Sequence, residues 1–212
     1  MMSELPSQAR VVIIGGGVVG VSCAYHLAKA GWTDCVLLEK NELTAGSTWH
    51  AAGNVPTFST SWSIMNMQRY STELYSNLGD EVDYPMNYNV TGSIRLGHSK
   101  ERIQEFQRAK GMGLYQGMNI EILDNNEIKK LYPFIETHEI QGALYDPADG
   151  DIDPAQLTQA LAKGARQLGV KIVRFCSAEG IKKENDMWEI ITEKGSISAC
   201  LLYTSDAADD WS

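Results

Sequence analysis

The stretch Val11-Val12-Ile13-Ile14-Gly15-Gly16-Gly17-Val18-Val19-Gly20 is an apolar strand running straight into a glycine-rich turn. Val36-Leu37-Leu38-Glu39 is a second apolar strand, and it ends on an acid nineteen residues after Gly20. Gly15, Gly17 and Gly20 form G-x-G-x-x-G directly behind the first strand. Gly15 permits the tight turn, Gly17 lets the main chain approach a pyrophosphate, and Gly20 lets the next helix pack close to the strand. That helix is predicted over Val18 to Ala30, with Gly31 at its C-terminal cap. Its first N–H groups and its positive dipole end would face the phosphates. A carboxylate at Glu39 can accept from both ribose hydroxyls and would repel a 2′-phosphate. A lone G-x-G-x-x-G is a weak signal. Strand, turn, helix, strand and acid in this order predict a dinucleotide site, for FAD or NAD rather than NADP.

The segment after Glu39 separates those two ligands. An NAD domain usually continues from its second strand into another helix and strand. Here the chain enters Leu43-Thr44-Ala45-Gly46-Ser47-Thr48-Trp49-His50-Ala51-Ala52-Gly53. From Thr44 onward most of these side chains are too small to build a core. They suit close main-chain approach to a second part of the ligand, a ribityl chain and isoalloxazine, so the segment favours FAD.

Composition narrows the function classes. The 212 residues are 43% hydrophobic and 21% charged, enough for one sizeable core. The net charge of −9 and the lack of a basic cluster argue against nucleic-acid binding. No apolar run reaches the roughly eighteen residues that a membrane span needs. Met1 to Arg10 carries no signal or transit pattern. Cys23, Cys35 and Cys176 form no ligand spacing and no disulfide framework. Cys23 and Cys35 read as small core residues. His26, His98 and His138 are isolated. Asp149, Asp151 and Asp153 alternate like a calcium loop, but position six is Pro154 and position twelve is Ala160, so a plain loop is expected and no metal.

The remaining elements are read from periodicity. Ser63 to Leu78 is predicted helical, with Ile64, Met67, Tyr70, Leu74 and Leu78 at helical spacing. Within Tyr84 to Leu96, Gly92 to Leu96 is the best strand. Lys100 to Met112 reads as a polar surface helix. Asn125 to Tyr132 is a short helix stopped before Pro133, and Gly142 to Tyr145 is a strand. Asp153 and Pro154 cap and open a helix over Ala155 to Leu168. Val170 to Phe175 is a parallel strand, and Trp188 to Thr192 belongs to a small antiparallel meander. The expected fold is α/β. A Rossmann-like FAD-binding sheet from residues 5–55 and 150–199 is interleaved with an antiparallel substrate-side sheet from 85–146.

The run from Glu39-Lys40-Asn41-Glu42 through Thr48-Trp49-His50-Ala51-Ala52-Gly53 resembles the dimethylglycine dehydrogenase and sarcosine dehydrogenase group, within the D-amino-acid-oxidase-like FAD superfamily. The resemblance covers about Leu5 to Ala199. It continues through Thr91-Gly92-Ser93-Ile94-Arg95-Leu96 and through Gly142-Ala143-Leu144-Tyr145-Asp146-Pro147-Ala148-Asp149-Gly150-Asp151-Ile152-Asp153-Pro154. In that group the histidine of the T-W-H-A-A-G segment carries the flavin through its 8α-methyl group. The resemblance therefore implies a covalent His50–FAD bond, for which neutral imidazole is a competent nucleophile. The implied cofactor-binding residues are Gly15, Gly17, Val18, Val19, Gly20, Glu39, Lys40, Gly46, Ser47, Thr48, His50, Ala51 and Gly53, with the main chain at Ala178 touching the adenine. No catalytic residue is assigned. Trp62, Tyr84, Tyr88 and Arg95 are unranked candidates for an amine pocket.

The implied activity is FAD-dependent oxidative N-demethylation of a small methylated glycine, such as dimethylglycine or sarcosine. Hydride would pass to the flavin, and the resulting iminium would release formaldehyde or pass its carbon to folate. The implied partners are a small-molecule amine and an electron acceptor such as an electron-transfer flavoprotein. Folate would enter only through a C-terminal domain that is absent here. Two alternatives stay open. One is a non-catalytic flavin-fold regulatory protein, against which His50 argues. The other is an oxygen-using glycine or sarcosine oxidase. A bacterial cytoplasm fits, or a mitochondrial matrix if the source is eukaryotic. Residues 200–212 depart from the group's pattern and resemble translated sequencing adapter. The chain is therefore expected to be a truncated N-terminal fragment, inactive alone and weak in FAD binding.

Overall fold

A computed structural model describes residues 4–204. In chain order the strands are β1 (Gln8–Ile14), β2 (Cys35–Leu38), β3 (Asn54–Val55), β4 (Tyr88–Asn89), β5 (Ser93–Gly97), β6 (Glu121–Leu123), β7 (Gly142–Asp146), β8 (Gly150–Ile152), β9 (Lys171–Val173), β10 (Ala178–Glu184), β11 (Met187–Thr192) and β12 (Gly195–Thr204). The helices are α1 (Val18–Lys29), α2 (Trp62–Val82), α3 (Lys100–Tyr115), α4 (Asn125–Leu131) and α5 (Pro154–Gln167), with one 3-10 turn at Ser47–His50. The chain divides into two compact units. The described part of the first is 4–52, 77–87 and 153–204; the second is 53–76 and 88–152.

The first unit is built on a six-stranded sheet in the order β10-β11-β12-β1-β2-β9. β12, β1, β2 and β9 run parallel, and β10, β11 and β12 form an antiparallel meander. β2 is buried at all four positions, which is why its sequence is an unbroken apolar run rather than an alternating one. Val12, Val36, Leu38, Val173, Ile190 and Ile197 close one core of this sheet. α1 packs on α5. They meet closely at Gly164, where an added Cβ would stand 2.8 Å from the Tyr25 ring. α1 ends in a Schellman motif. Gly31 takes φ 88°, its N–H donates to Ala28 O at 2.9 Å, and Trp32 N–H donates to Leu27 O at 2.9 Å. α5 starts as its sequence demands: Asp153 accepts from the N–H groups of Ala155 and Gln156, and Pro154 is the first helical residue. Burial raises the Cys35 thiol to about 11, which suits an inert core residue. Within the segment 200–212, Cys200 to Thr204 continue β12, with Leu201 beside Val11 and Thr204 beside Ile14. The rest of that segment lies outside the described residues.

The second unit holds two three-stranded antiparallel sheets, β3-β8-β4 and β5-β7-β6. β7 is covered on both faces: Leu144 packs with Phe58, Met65, Phe106 and Ile120, while Ala143 packs with Leu123, Ile128 and Ile140. α4 starts with a full capping box between Asp124 and Glu127.

Two sequence expectations change here. The helix read over 63–78 extends over Trp62–Val82, but its buried positions include Met65, Leu78 and Val82. Ile64, Met67 and Tyr70 of the expected stripe are exposed. Several apolar stripes coexist on one cylinder, and packing partners rather than spacing select the buried one. The helix read as a polar surface element runs on to Tyr115 and buries Phe106, Ala109 and Gly113. Its six charged residues hid a narrow apolar face.

Candidate functional site

The glycine turn sits between the end of β1 and the start of α1. Gly15 adopts φ 112°, and its N–H donates to Leu38 O at 2.9 Å, which ties the turn to β2. A Cβ added to Gly20 would stand 2.1 Å from the Gly15 carbonyl oxygen. Only glycine lets α1 approach this closely. Gly17 is the N-cap of α1 and offers no capping side chain. The cap comes instead from Thr48, thirty residues on, whose Oγ accepts the Val18 N–H at 2.9 Å. This places the Thr48 hydroxyl, 7% exposed as a residue, at the positive end of the helix. Val19 stands 54% exposed beside it.

Glu39 closes the other side of the corner. Its Oε2 accepts the Gly16 N–H at 2.6 Å, and its Oε1 accepts the Asn41 N–H at 2.7 Å. Each carboxylate oxygen keeps a second lone-pair direction for a further donor such as a ribose hydroxyl. The Glu39 carbonyl accepts from Cys176 N at 2.9 Å, and Asn41 O accepts from Phe175 N at 3.3 Å. These bonds hold the segment leading to Ala178 against the Glu39 corner. Lys40 is exposed next to Glu39.

Gly46 precedes the 3-10 turn, Ser47 and Thr48 open it, and Ala51 follows it in extended conformation. His50 ends the turn exposed, its ring centroid 3.9 Å from that of Trp49, which is 61% exposed. Gly53 is the first residue of the second unit. The first unit thus brings together the glycine turn, Glu39, the Thr48–His50 turn and the approach to Ala178.

Two residues at this corner escape a reading of the sequence. Gly16 occupies a variable position of the motif, yet a Cβ there would stand 2.7 Å from Leu43 and 2.8 Å from Glu39. A glycine between Gly15 and Gly17, where the motif requires none, is the available signal. Thr44 takes left-handed backbone at φ 72° and donates its N–H to Gly16 O at 3.1 Å. A β-branched residue in that region costs on the order of 1–2 kcal/mol, and nothing in its neighbourhood of sequence announces it.

In the second unit Thr57, Ser93, Asp146 and Asp149 form one hydrogen-bonded group, with the Arg95 guanidinium in an ion pair 3.7 Å from Asp149. Of the three aspartates with calcium-like spacing, Asp149 bonds Thr57 and Ser93, Asp151 accepts from Asn89, and Asp153 caps α5. Separately, a cavity of about 190 Å³ is lined by Phe58, Thr60, Arg95, Phe106 and Leu144, among others. Among the described residues no helix is long and apolar enough to cross a membrane.

Comparison with known proteins places this geometry. Residues 10–207 match the family described as FAD dependent oxidoreductase, DAO. The chain is 42% identical over 209 residues to mitochondrial dimethylglycine dehydrogenase of Rattus norvegicus, covering 98% of this chain and 24% of that protein. It is 37% identical over 208 residues to the mitochondrial pyruvate dehydrogenase phosphatase regulatory subunit of Mus musculus, covering 98% and 24%. The crystal structure of L-proline dehydrogenase from P.horikoshii aligns with a TM-score of 0.88 at 27% identity, over 95% of this chain and 54% of that one. The chain thus spans about a quarter of the length of these curated relatives. A glycine turn and acid in the order a dinucleotide needs, on a sheet of matching topology and within a family match that spans nearly all its residues, mean that the chain belongs to the DAO family of FAD-dependent oxidoreductases.

Proposed function

We propose that a protein carrying this chain oxidises a small N-methylated amino acid of the dimethylglycine or sarcosine type, with FAD held at the Gly15–Gly20 and Glu39 corner and bonded through His50. The observation that supports this most directly is the bond from Val18 N–H to Thr48 Oγ. It locks the Ser47–His50 turn onto the helix start that would receive the pyrophosphate, and it leaves the His50 imidazole exposed beside Trp49. The main-chain N–H groups of the α1 start would hold the phosphates, Glu39 the ribose, and the Ala178 main chain the adenine. The bound flavin supplies the hydride acceptor. The chain's residues supply position, water exclusion and the attachment point. Electrons would leave to an acceptor such as an electron-transfer flavoprotein.

The test is flavin retention through denaturation. The native protein is expected to stay yellow after acid precipitation, and His50→Ala to release all its flavin. Release from the native protein, or retention by His50→Ala, removes the covalent assignment. The 37% identity to a regulatory subunit supports a second reading, a flavin-fold protein without catalysis. Anaerobic bleaching of the flavin by dimethylglycine or sarcosine excludes that second reading, and peroxide production would point to an oxidase.

A further inference from the structure

Asp146 and Asp149 are each 3% exposed, and the Thr57 side chain stands between them. Thr57 Oγ lies 2.8 Å from Asp146 Oδ2 and 2.9 Å from Asp149 Oδ1. A threonine hydroxyl has one proton and can fully satisfy only one of these contacts. The second contact needs a proton that a carboxyl brings.

The donors around each aspartate decide which one brings it. Asp149 Oδ1 also accepts the Thr57 N–H at 2.6 Å, and Oδ2 accepts the Ser93 hydroxyl. The Arg95 guanidinium lies 3.7 Å from the same oxygen. This is the surrounding of an anion. Asp146 takes fewer donors, the Ala148 N–H 3.1 Å from Oδ1 and the Thr57 hydroxyl, and its carboxyl also meets that of Asp149 directly, a contact that favours a proton on Asp146. It faces no cation. Tyr88 on β4 is the other titratable group that feels the pair; burial and then the Asp149 charge push its phenol up. Asp151 on β8 is engaged with Asn89.

We propose that Asp146 is held as a neutral carboxylic acid that donates to the Thr57 hydroxyl, which in turn donates to an ionised Asp149. Burial pushes the Asp146 carboxyl up, the Thr57 bond pulls it partly back, and the Asp149 charge pushes it up again. The two O–H groups in series fasten the segment after Gly53 to the end of β7. Asp146 is thus a positioning residue for Asn54 to Thr57, and this holds whether or not the flavin reading is right. The native chain keeps a proton that the unfolded chain releases above about 3.9. Stability from the pair is complete below that value and is lost as pH rises through the raised range of Asp146.

The test is a ¹³C carboxyl titration of this chain labelled at aspartate. Signals are assigned through the main chain, so that no variant is needed to identify them. The Asp146 carboxyl is expected to ionise above the ordinary aspartate range. Asp146→Asn, whose amide can donate in place of the acid, is expected to fold, to lose the late titration and to lose the matching fall in stability. Both carboxyls ionising together in the ordinary range would overturn the proposal, as would a late step belonging to Asp149. The first result would mean that the Thr57 proton is shared between two anions, the second that Asp149 holds the proton.

Discussion

Thr48 and Thr57 are nine residues apart and almost equally buried, yet they belong to different units and serve opposite kinds of partner. Thr48 caps one neutral main-chain N–H at the start of α1. Thr57 stands between two carboxyl groups. The difference extends to the units around them. The candidate site of the first unit is made mostly of main chain: a glycine in positive φ, close contact at Gly20, and N–H groups that converge on the Glu39 carboxylate. The polar order of the second unit is made of side chains from separate stretches. A main-chain device confines its requirements to a few adjacent residues. A side-chain network scatters its members along the chain.

The largest expected effect falls on the main-chain device. Gly20→Ala would drive a methyl group to 2.1 Å from the Gly15 carbonyl oxygen, and neither backbone can yield without opening the turn. A loss upwards of about 3 kcal/mol is expected, read by urea unfolding, because overpacking here meets backbone rather than a flexible side chain. Thr57→Val comes next. It keeps the shape but deprives Asp146 of its side-chain partner and Asp149 of one donor, at about 2 kcal/mol. A larger loss at Thr57 than at Gly20 would reverse the contrast and make the buried side-chain group the more demanding of the two.

The same contrast explains what could be read from the sequence. G-x-G-x-x-G, the acid at Glu39, the cap at Gly31 and the Asp153-Pro154 helix start are local rules, and each element appears where its rule puts it. The resemblance through Trp49-His50 added the DAO family, which the fold and the comparisons bear out. What escaped was decided by tertiary packing. The choice of Met65 over Ile64 and Met67 as buried positions of α2 depends on neighbours that helical spacing cannot name. The buried face of α3 was masked by its charges. Thr57, Ser93 and Asp146 come together from positions up to 89 residues apart, and no short pattern encodes that. The capping role of Thr48 lies between these cases. Its segment stands out as a ligand-facing stretch, while the partner thirty residues upstream does not.

Thr48→Val gives the smallest and most diagnostic effect. It removes the acceptor for Val18 N–H but leaves no charge stranded, so the expected loss is about 1 kcal/mol, as for other helix N-caps. Thr48→Ser keeps the hydroxyl and should recover most of it. The Val18–Thr48 bond is only part-buried at a helix start, where water can take over some of it, whereas the bonds around Thr57 are buried. The Thr48 loss should therefore be clearly below the Thr57 loss when both are measured by urea unfolding at the same pH. Equal losses would mean that burial alone, and not the charge of the partners, sets the worth of a threonine hydroxyl in this chain.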